Sequence, residues 1–125
     1  MRAAAKTGRS EHRLSIRVDL ADGTRIGPGK VALLEQIGRT GSISAAGRAL
    51  RMSYRRAWDL VEELNRSLGQ PVVTTATGGA GGGGAALTEA GIALVGEYRA
   101  IEAAAEAASR RHIATLVRFC ARPQG

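Results

Sequence analysis

From Leu14 to Leu20 the chain alternates: Leu14, Ile16, Val18 and Leu20 fall on one side, and Ser15, Arg17 and Asp19 on the other. This period of two predicts a half-buried strand. Asp22-Gly23 carries a turn signal, and Thr24-Arg25-Ile26 can return as a short second strand, with Gly27-Pro28-Gly29 ending the hairpin. The period then lengthens. Val31, Leu34 and Ile37, with Leu33 adjacent, predict a helix over 30–39 that Gly38 or Gly41 can stop. Ser42 has N-cap chemistry before a short helix whose face is Ile43, Ala46 and Leu50. Arg51-Met52 makes a tight connection, and Ser53 is a second N-cap candidate. Beyond it Tyr54, Ala57, Val61, Leu64 and Leu68 line one face of a longer helix, which Gly69 ends and Pro71 keeps from resuming. Residues 71–75 are β-branched and read as a strand, as does the short stretch 85–87 beyond a glycine tract. Thr88 is the N-cap candidate for a last helix expected from Glu89 to about Arg111. Its positions Leu87, Gly91, Leu94, Tyr98, Ile101, Ala105 and Ala108 advance in steps of four and three, a heptad spacing. Such a seam either packs against a second copy or covers its own domain.

The pattern describes one domain over 13–118. A basic segment at 1–12 lacks periodicity and reads as disordered, and a short tail occupies 119–125. Hydrophobic residues make up 44% of the chain but aromatic residues only 3%, so the core must be aliphatic, which suits close helix packing. No apolar run approaches the ~20 residues of a membrane span, and the basic N-terminus has no apolar core behind it. The single Cys120 cannot form an internal disulfide, and no Cys/His spacing suits a metal. These features read as a cytoplasmic protein without a metal or cofactor site and without an internal disulfide. The formal net charge of +7 points to a polyanion as partner.

Charge placement sharpens that expectation. Residues 42–68 read as helix, tight turn, helix, the organisation of a helix-turn-helix, although generic helical hairpins share it. Between Arg39 and Trp58 there is no acid, yet Arg48, Arg51, Arg55 and Arg56 are present. Asp59, Glu62 and Glu63 begin one turn into the second helix. The positive end of a helix dipole favours carboxylates, so arginines there cost the isolated helix about 0.3–1 kcal/mol each. A polyanion at that end reverses the balance, since arginine reaches phosphates or pairs with guanine O6/N7. A solvated face with an Arg55–Asp59 pair is the bland alternative. Trp58 is expected in the core rather than stacked on a base.

The tract 78–84 holds six glycines in seven positions. It contains G-x-G-x-x-G at Gly79, Gly81 and Gly84, but the chain has no room for the parallel sheet that a dinucleotide site needs, and no Lys-Ser/Thr follows as in a P-loop. A hairpin tip fits both flanks. Two short strands after a helix-turn-helix form the wing of a winged helix, with glycine letting the backbone approach phosphates.

GSISAAGRAL-RMSYRRAWDLVEELN followed by TATGGAGGGGAALTEAG resembles the N-terminal DNA-binding region of ModE-type molybdenum-dependent transcriptional regulators, which is similar to the LysR-type winged helix-turn-helix. The resemblance covers about residues 13–115. It implies a mostly α fold with a small β component, a winged helix-turn-helix with a long C-terminal dimerisation helix. It further implies a homodimer on a palindromic double-stranded DNA operator, with Ser53–Leu68 as recognition helix. Joined to the charge pattern, it gives Ser42, Ser44, Arg48, Ser53, Tyr54, Arg55, Arg56, Thr77, Gly78, Gly79, Gly81 and Gly82 as the expected DNA-facing residues. Leu94, Tyr98, Ile101 and Ala105 are the expected dimerisation residues. Nothing in the chain resembles the C-terminal oxyanion-binding module of the family, so molybdate binding by these residues is not expected. The alternatives are a phosphate- or nucleotide-binding enzyme built on 78–84 and a protein-interaction adaptor built on the last helix.

Overall fold

The computed structural model describes residues 13–76 and 84–120. The expectations for the N-terminal segment 1–12, the glycine tip and the last residues of the tail lie outside these. The chain begins with a hairpin of β1 (Val18–Asp19) and β2 (Arg25–Ile26), antiparallel with Val18 opposite Ile26. Only two residues of each strand pair, yet the alternation persists ahead of the ladder, where Leu14 and Ile16 are half-buried and Arg13, Ser15 and Arg17 exposed; beyond it Leu20, expected on the buried side, is exposed. Gly23 turns the chain at φ 97°. The Asp22 carboxylate accepts from the Thr24 amide at 2.9 Å, a bond that lowers the Asp22 pKa.

Helix α1 (Pro28–Thr40) starts at Pro28, earlier than the sequence pattern suggests. Gly27-Pro28-Gly29 opens the helix rather than closing the hairpin, because proline in the first turn forfeits only an amide that no helical carbonyl would accept. Gly38 stays inside the helix, and Gly41 ends it in the left-handed region at φ 74°, its amide bonded to the Ile37 carbonyl. Helix α2 (Ile43–Ala49) is capped by Ser42, whose Oγ accepts from the Ala45 amide at 3.0 Å. Gly47 lets α2 and α3 approach, since a Cβ there would stand 3.0 Å from the Ala57 Cβ. The turn closes as a Schellman motif, with Met52 N–H to Gly47 C=O and Arg51 N–H to Arg48 C=O. Its left-handed residue is Arg51, at φ 61°, where glycine is usual.

Helix α3 (Tyr54–Ser67) buries Ala57, Leu60, Val61 and Leu64. With Leu33, Leu34, Ile37, Ile43, Ala46 and Val72 they form the main core. The wing, β3 (Val73–Ala76) and β4 (Gly84–Leu87), is antiparallel with Val73 opposite Leu87 and Ala76 opposite Gly84. Asn65 fixes its base to α3: Oδ1 accepts from the Val72 and Val73 amides at 2.7 and 3.3 Å, and Nδ2 donates to the Val73 carbonyl at 3.2 Å. On the other side the Ala85 amide donates to the Gly41 carbonyl at 2.9 Å.

Thr88 caps α4 (Glu89–Cys120), accepting from the Gly91 amide at 3.0 Å and donating to the Pro71 carbonyl at 2.8 Å. A Cβ on Gly91 would overlap the Val72 carbonyl, so glycine permits this close docking. The helix runs past Arg111 to Cys120. At 1.5 Å per residue its 32 residues span about 48 Å. Its first half closes a second small core of Ile26, Val31 and Tyr98. The Tyr98 hydroxyl donates to the Ile16 carbonyl at 2.6 Å, and Arg99 reaches both oxygens of Glu35 at 2.9 and 2.7 Å.

Candidate DNA-binding surface

Two serines set the backbone of the expected contact region. Ser53 Oγ accepts from the Arg56 amide at 3.0 Å, starting α3, as Ser42 starts α2. Each hydroxyl accepts in capping and still has its proton to donate to a phosphate oxygen. The exposed first turn of α3 therefore begins at Ser53 and carries Tyr54, Arg55 and Arg56. Across the turn lies Arg48, exposed, with its guanidinium on Ser44 Oγ at 3.0 Å; Ser44 itself is half-buried. Arg51 is exposed within the turn.

This corner is almost free of countercharge. Among the described residues Arg48, Arg51 and Arg56 form no ion pair. Arg55 meets Asp59 at 3.9 Å with 87% of its side chain exposed. So open an i,i+4 pair contributes only a few tenths of a kcal/mol, and the guanidinium remains available. Tyr54 is 62% exposed and stands edge-on to Trp58, ring centroids 6.2 Å apart. Trp58 is half-buried against the main core, with its indole Nε1 enclosed and unpartnered among the described residues. It therefore braces Tyr54 rather than offering a face to a base.

Ser42 sits at the far end of α2, next to the Gly41–Ala85 bond that holds the wing, so the second expected contact region lies beside β3–β4. Thr74, Thr75 and Ala76 are exposed there. Thr77, Gly78, Gly79, Gly81 and Gly82 lie outside the described residues.

Arg56 also belongs to a basic group whose other members the sequence pattern does not single out. Arg17 and Arg25 on the hairpin, Lys30 and Arg56 surround a recess of about 400 Å³ beside α3. Lys30 Nζ donates to Glu63 at 2.8 Å and to the Arg25 carbonyl at 2.9 Å, holding the Glu63 carboxyl below its usual range. Arg17 pairs with Asp19 at 2.8 Å, which leaves Arg25 and Arg56 without an ion pair among the described residues. Basic residues on the solvent side of the hairpin were the available signal.

The expected dimerisation residues divide. Tyr98 is enclosed by its own chain, and Leu94 is half-buried against both cores. Ile101 is 44% exposed, and Ala105 is half-buried. The buried part of the seam covers its own domain, so Leu94 and Tyr98 cannot be altered without disturbing this chain.

Two helices across a capped turn, a hairpin wing and an exposed cationic first turn define a winged helix-turn-helix. The model of the bacterial regulatory helix-turn-helix protein, lysR family, matches residues 29–92, and the chain belongs to that family. It is 53% identical over 81 residues to the molybdenum-pterin-binding protein MopB of Rhodobacter capsulatus, a match covering 65% of this chain and 30% of the relative. It is 42% identical over 71 residues to the DNA-binding transcriptional dual regulator ModE of Escherichia coli strain K12, covering 57% and 27%. The chain thus spans less than a third of the length of these relatives. Among solved structures it is similar to the DNA-binding domain of CbnR in complex with DNA, with a TM-score of 0.54 and 22% identity over 70% of this chain and 95% of that one. The strands that flank the glycine tract pair as a wing, and the nucleotide-binding enzyme reading falls away. No described helix is long and apolar enough to cross a membrane.

Proposed function

We propose that this chain is the DNA-binding part of a ModE-like transcriptional regulator. It acts in the cytoplasm as a homodimer on a palindromic operator. The observation that carries the reading is the corner of Arg48, Arg51, Arg55 and Arg56, exposed and almost without countercharge. Helix α3 enters the major groove by its first turn, where Arg55 and Arg56 reach base edges or flanking phosphates. Ser42, Ser44, Arg48 and Ser53 donate to the backbone on either side. The wing, through Thr77 and the glycines 78, 79, 81 and 82, follows the adjacent backbone without reading bases. The dimer forms through the exposed part of α4, with Ile101 and Ala105 on the seam, and sets half-sites about 10 bp apart or a multiple of that. Support for the molybdate-responsive class comes from the relatives' names. No molybdate site is assigned to these residues.

The test is a salt titration of binding to operator and random duplexes. The logarithm of the binding constant should fall linearly with that of salt, with a slope of about −0.9 per phosphate neutralised. Operator binding should exceed random binding by roughly 10³-fold or more. Salt-independent binding, or none to any duplex, would overturn the reading.

A further inference from the structure

The first three side chains of α3 point in different directions. Each residue advances about 100° around the helix axis. Arg55 therefore points away from the core, and Tyr54 and Arg56 lie on opposite flanks. The Tyr54 flank is occupied by the edge-on contact with Trp58. The Arg56 flank continues through Leu60 and Glu63 and forms one wall of the basic recess, with Arg17 and Arg25 of the hairpin on the other.

The charges of this recess do not balance. Arg17 is paired with Asp19 and Lys30 with Glu63, so each of these pairs cancels within itself. Arg25 and Arg56 remain, both exposed and neither in an ion pair among the described residues. The nearby helix starts supply no countercharge, since neither α1 nor α3 has an acid in its first turn. Two guanidiniums brought to one recess repel each other, and folding gains nothing from placing them there.

The walls are nevertheless tied together. The Lys30 side chain is only 15% exposed. Its ammonium donates to the Arg25 carbonyl at 2.9 Å and to Glu63 at 2.8 Å, which joins β2 to α3. Thr24 makes a second tie between the hairpin and α3, its hydroxyl donating to the Ser67 carbonyl at 3.3 Å. A recess fixed in this way binds an anion without first having to be ordered.

Position identifies the anion. Arg56 follows Arg55 in the turn that enters the major groove, and a helix in that groove has a phosphate backbone along each flank. We infer that the recess takes a phosphate of the DNA backbone, clamped between Arg25 of the hairpin and Arg56 of α3. The hairpin is then a third DNA-contacting element beside the helix-turn-helix and the wing. Arg55 reads bases, while Arg25 and Arg56 set the depth and register of the helix. The inference rests on the DNA-binding reading above and divides the roles of its two arginines.

The full chain is tested on operator and random duplexes. A wild type that binds neither would defeat the DNA-binding reading and the clamp together. Arg25→Ala, at an exposed position, should weaken binding to both duplexes by the same factor, about tenfold at low salt. It should also make the salt dependence shallower by about 0.9 for each bound chain, whereas Arg25→Lys should keep the slope. Arg56→Ala should behave like Arg25→Ala, and Arg55→Ala should weaken operator binding more than random binding. Arg111→Ala removes an equal charge from α4 and should leave affinity and slope nearly unchanged. Ethylation interference should show one phosphate in each half-site that matters to the wild type and not to Arg25→Ala. Wild-type affinity and slope for Arg25→Ala, or an equal loss from Arg111→Ala, would overturn the clamp and leave the DNA-binding reading standing. Inorganic phosphate at millimolar concentration that shifts the Arg25 amide, with DNA binding indifferent to Arg25→Ala, would assign the recess to a small free anion instead.

Discussion

Helix α3 and the second half of α4 both leave a face uncovered within the chain, and the two faces have opposite chemistry. The inner side of α3 is fully used by Ala57, Leu60, Val61 and Leu64, so its outer side is free to be charged. The end of α4 has no inner side to satisfy, yet it keeps Leu116 and Phe119. An exposed cation in a first turn is explained by an anion that arrives, and an exposed phenylalanine by a surface that removes it from water. Helical propensity and packing, which coincide in α3, separate in α4, where alanines at 103–105 hold the helix with little burial.

Substitutions should separate the two regions. The largest effect is expected in the core behind α3. Leu64→Ala should cost about 2–5 kcal/mol, whereas Leu116→Ala should change the unfolding free energy of the monomer by less than about 0.5 kcal/mol. Urea denaturation at a concentration where the chain is monomeric compares them. On the outer side of α3, Arg55→Ala and Arg56→Ala should each cost about 1–3 kcal/mol in operator binding with unfolding midpoints unchanged; anisotropy titrations on operator and random duplexes measure this. Asn65→Ala should cost about 1–3 kcal/mol by stranding the Val72 and Val73 amides, and hydrogen exchange should quicken at these two amides first.

A smaller effect depends on pH. The Arg99 guanidinium beside Glu35 and the Lys30 ammonium beside Glu63 hold both carboxyls below their usual range. Folded-state values below unfolded ones mean that this stabilisation is present above about pH 4.3 and is lost as pH falls through the lowered values. Glu35→Gln should flatten the acid limb of a plot of urea midpoint against pH. The smallest effect should come from Arg51→Gly: relief of the left-handed backbone adds up to about 1 kcal/mol of stability, while loss of a cation from the corner weakens DNA binding at low salt.

Much of the arrangement was legible from local chemistry. Ser42, Ser53 and Thr88 cap helices because a short hydroxyl side chain before an apolar period has few other uses. The features that escaped depend on how separate elements meet. Asn65 looks like any polar helix residue until β3 lies beside it, and Arg99 meets Glu35 only because α4 crosses α1. Tyr98 belongs to a heptad that does not reveal whether its partner is in the same chain. The helix runs past Arg111 because no glycine or proline intervenes between Gly96 and Pro123.

Gly41 is a shared hinge point. Its left-handed backbone ends α1, the next residue starts α2, and its carbonyl holds the Ala85 amide of the wing. Drift in the sequence should therefore be unequal across the hairpin. Insertions and deletions between Ala76 and Gly84 leave every one of these bonds untouched, so that segment can lengthen or shorten as operators diverge. A side chain at Gly41 would strain the helix end and shift the Ser42 cap and the wing base together. Descendants of this chain should vary freely between Ala76 and Gly84 and hardly at all at Gly41.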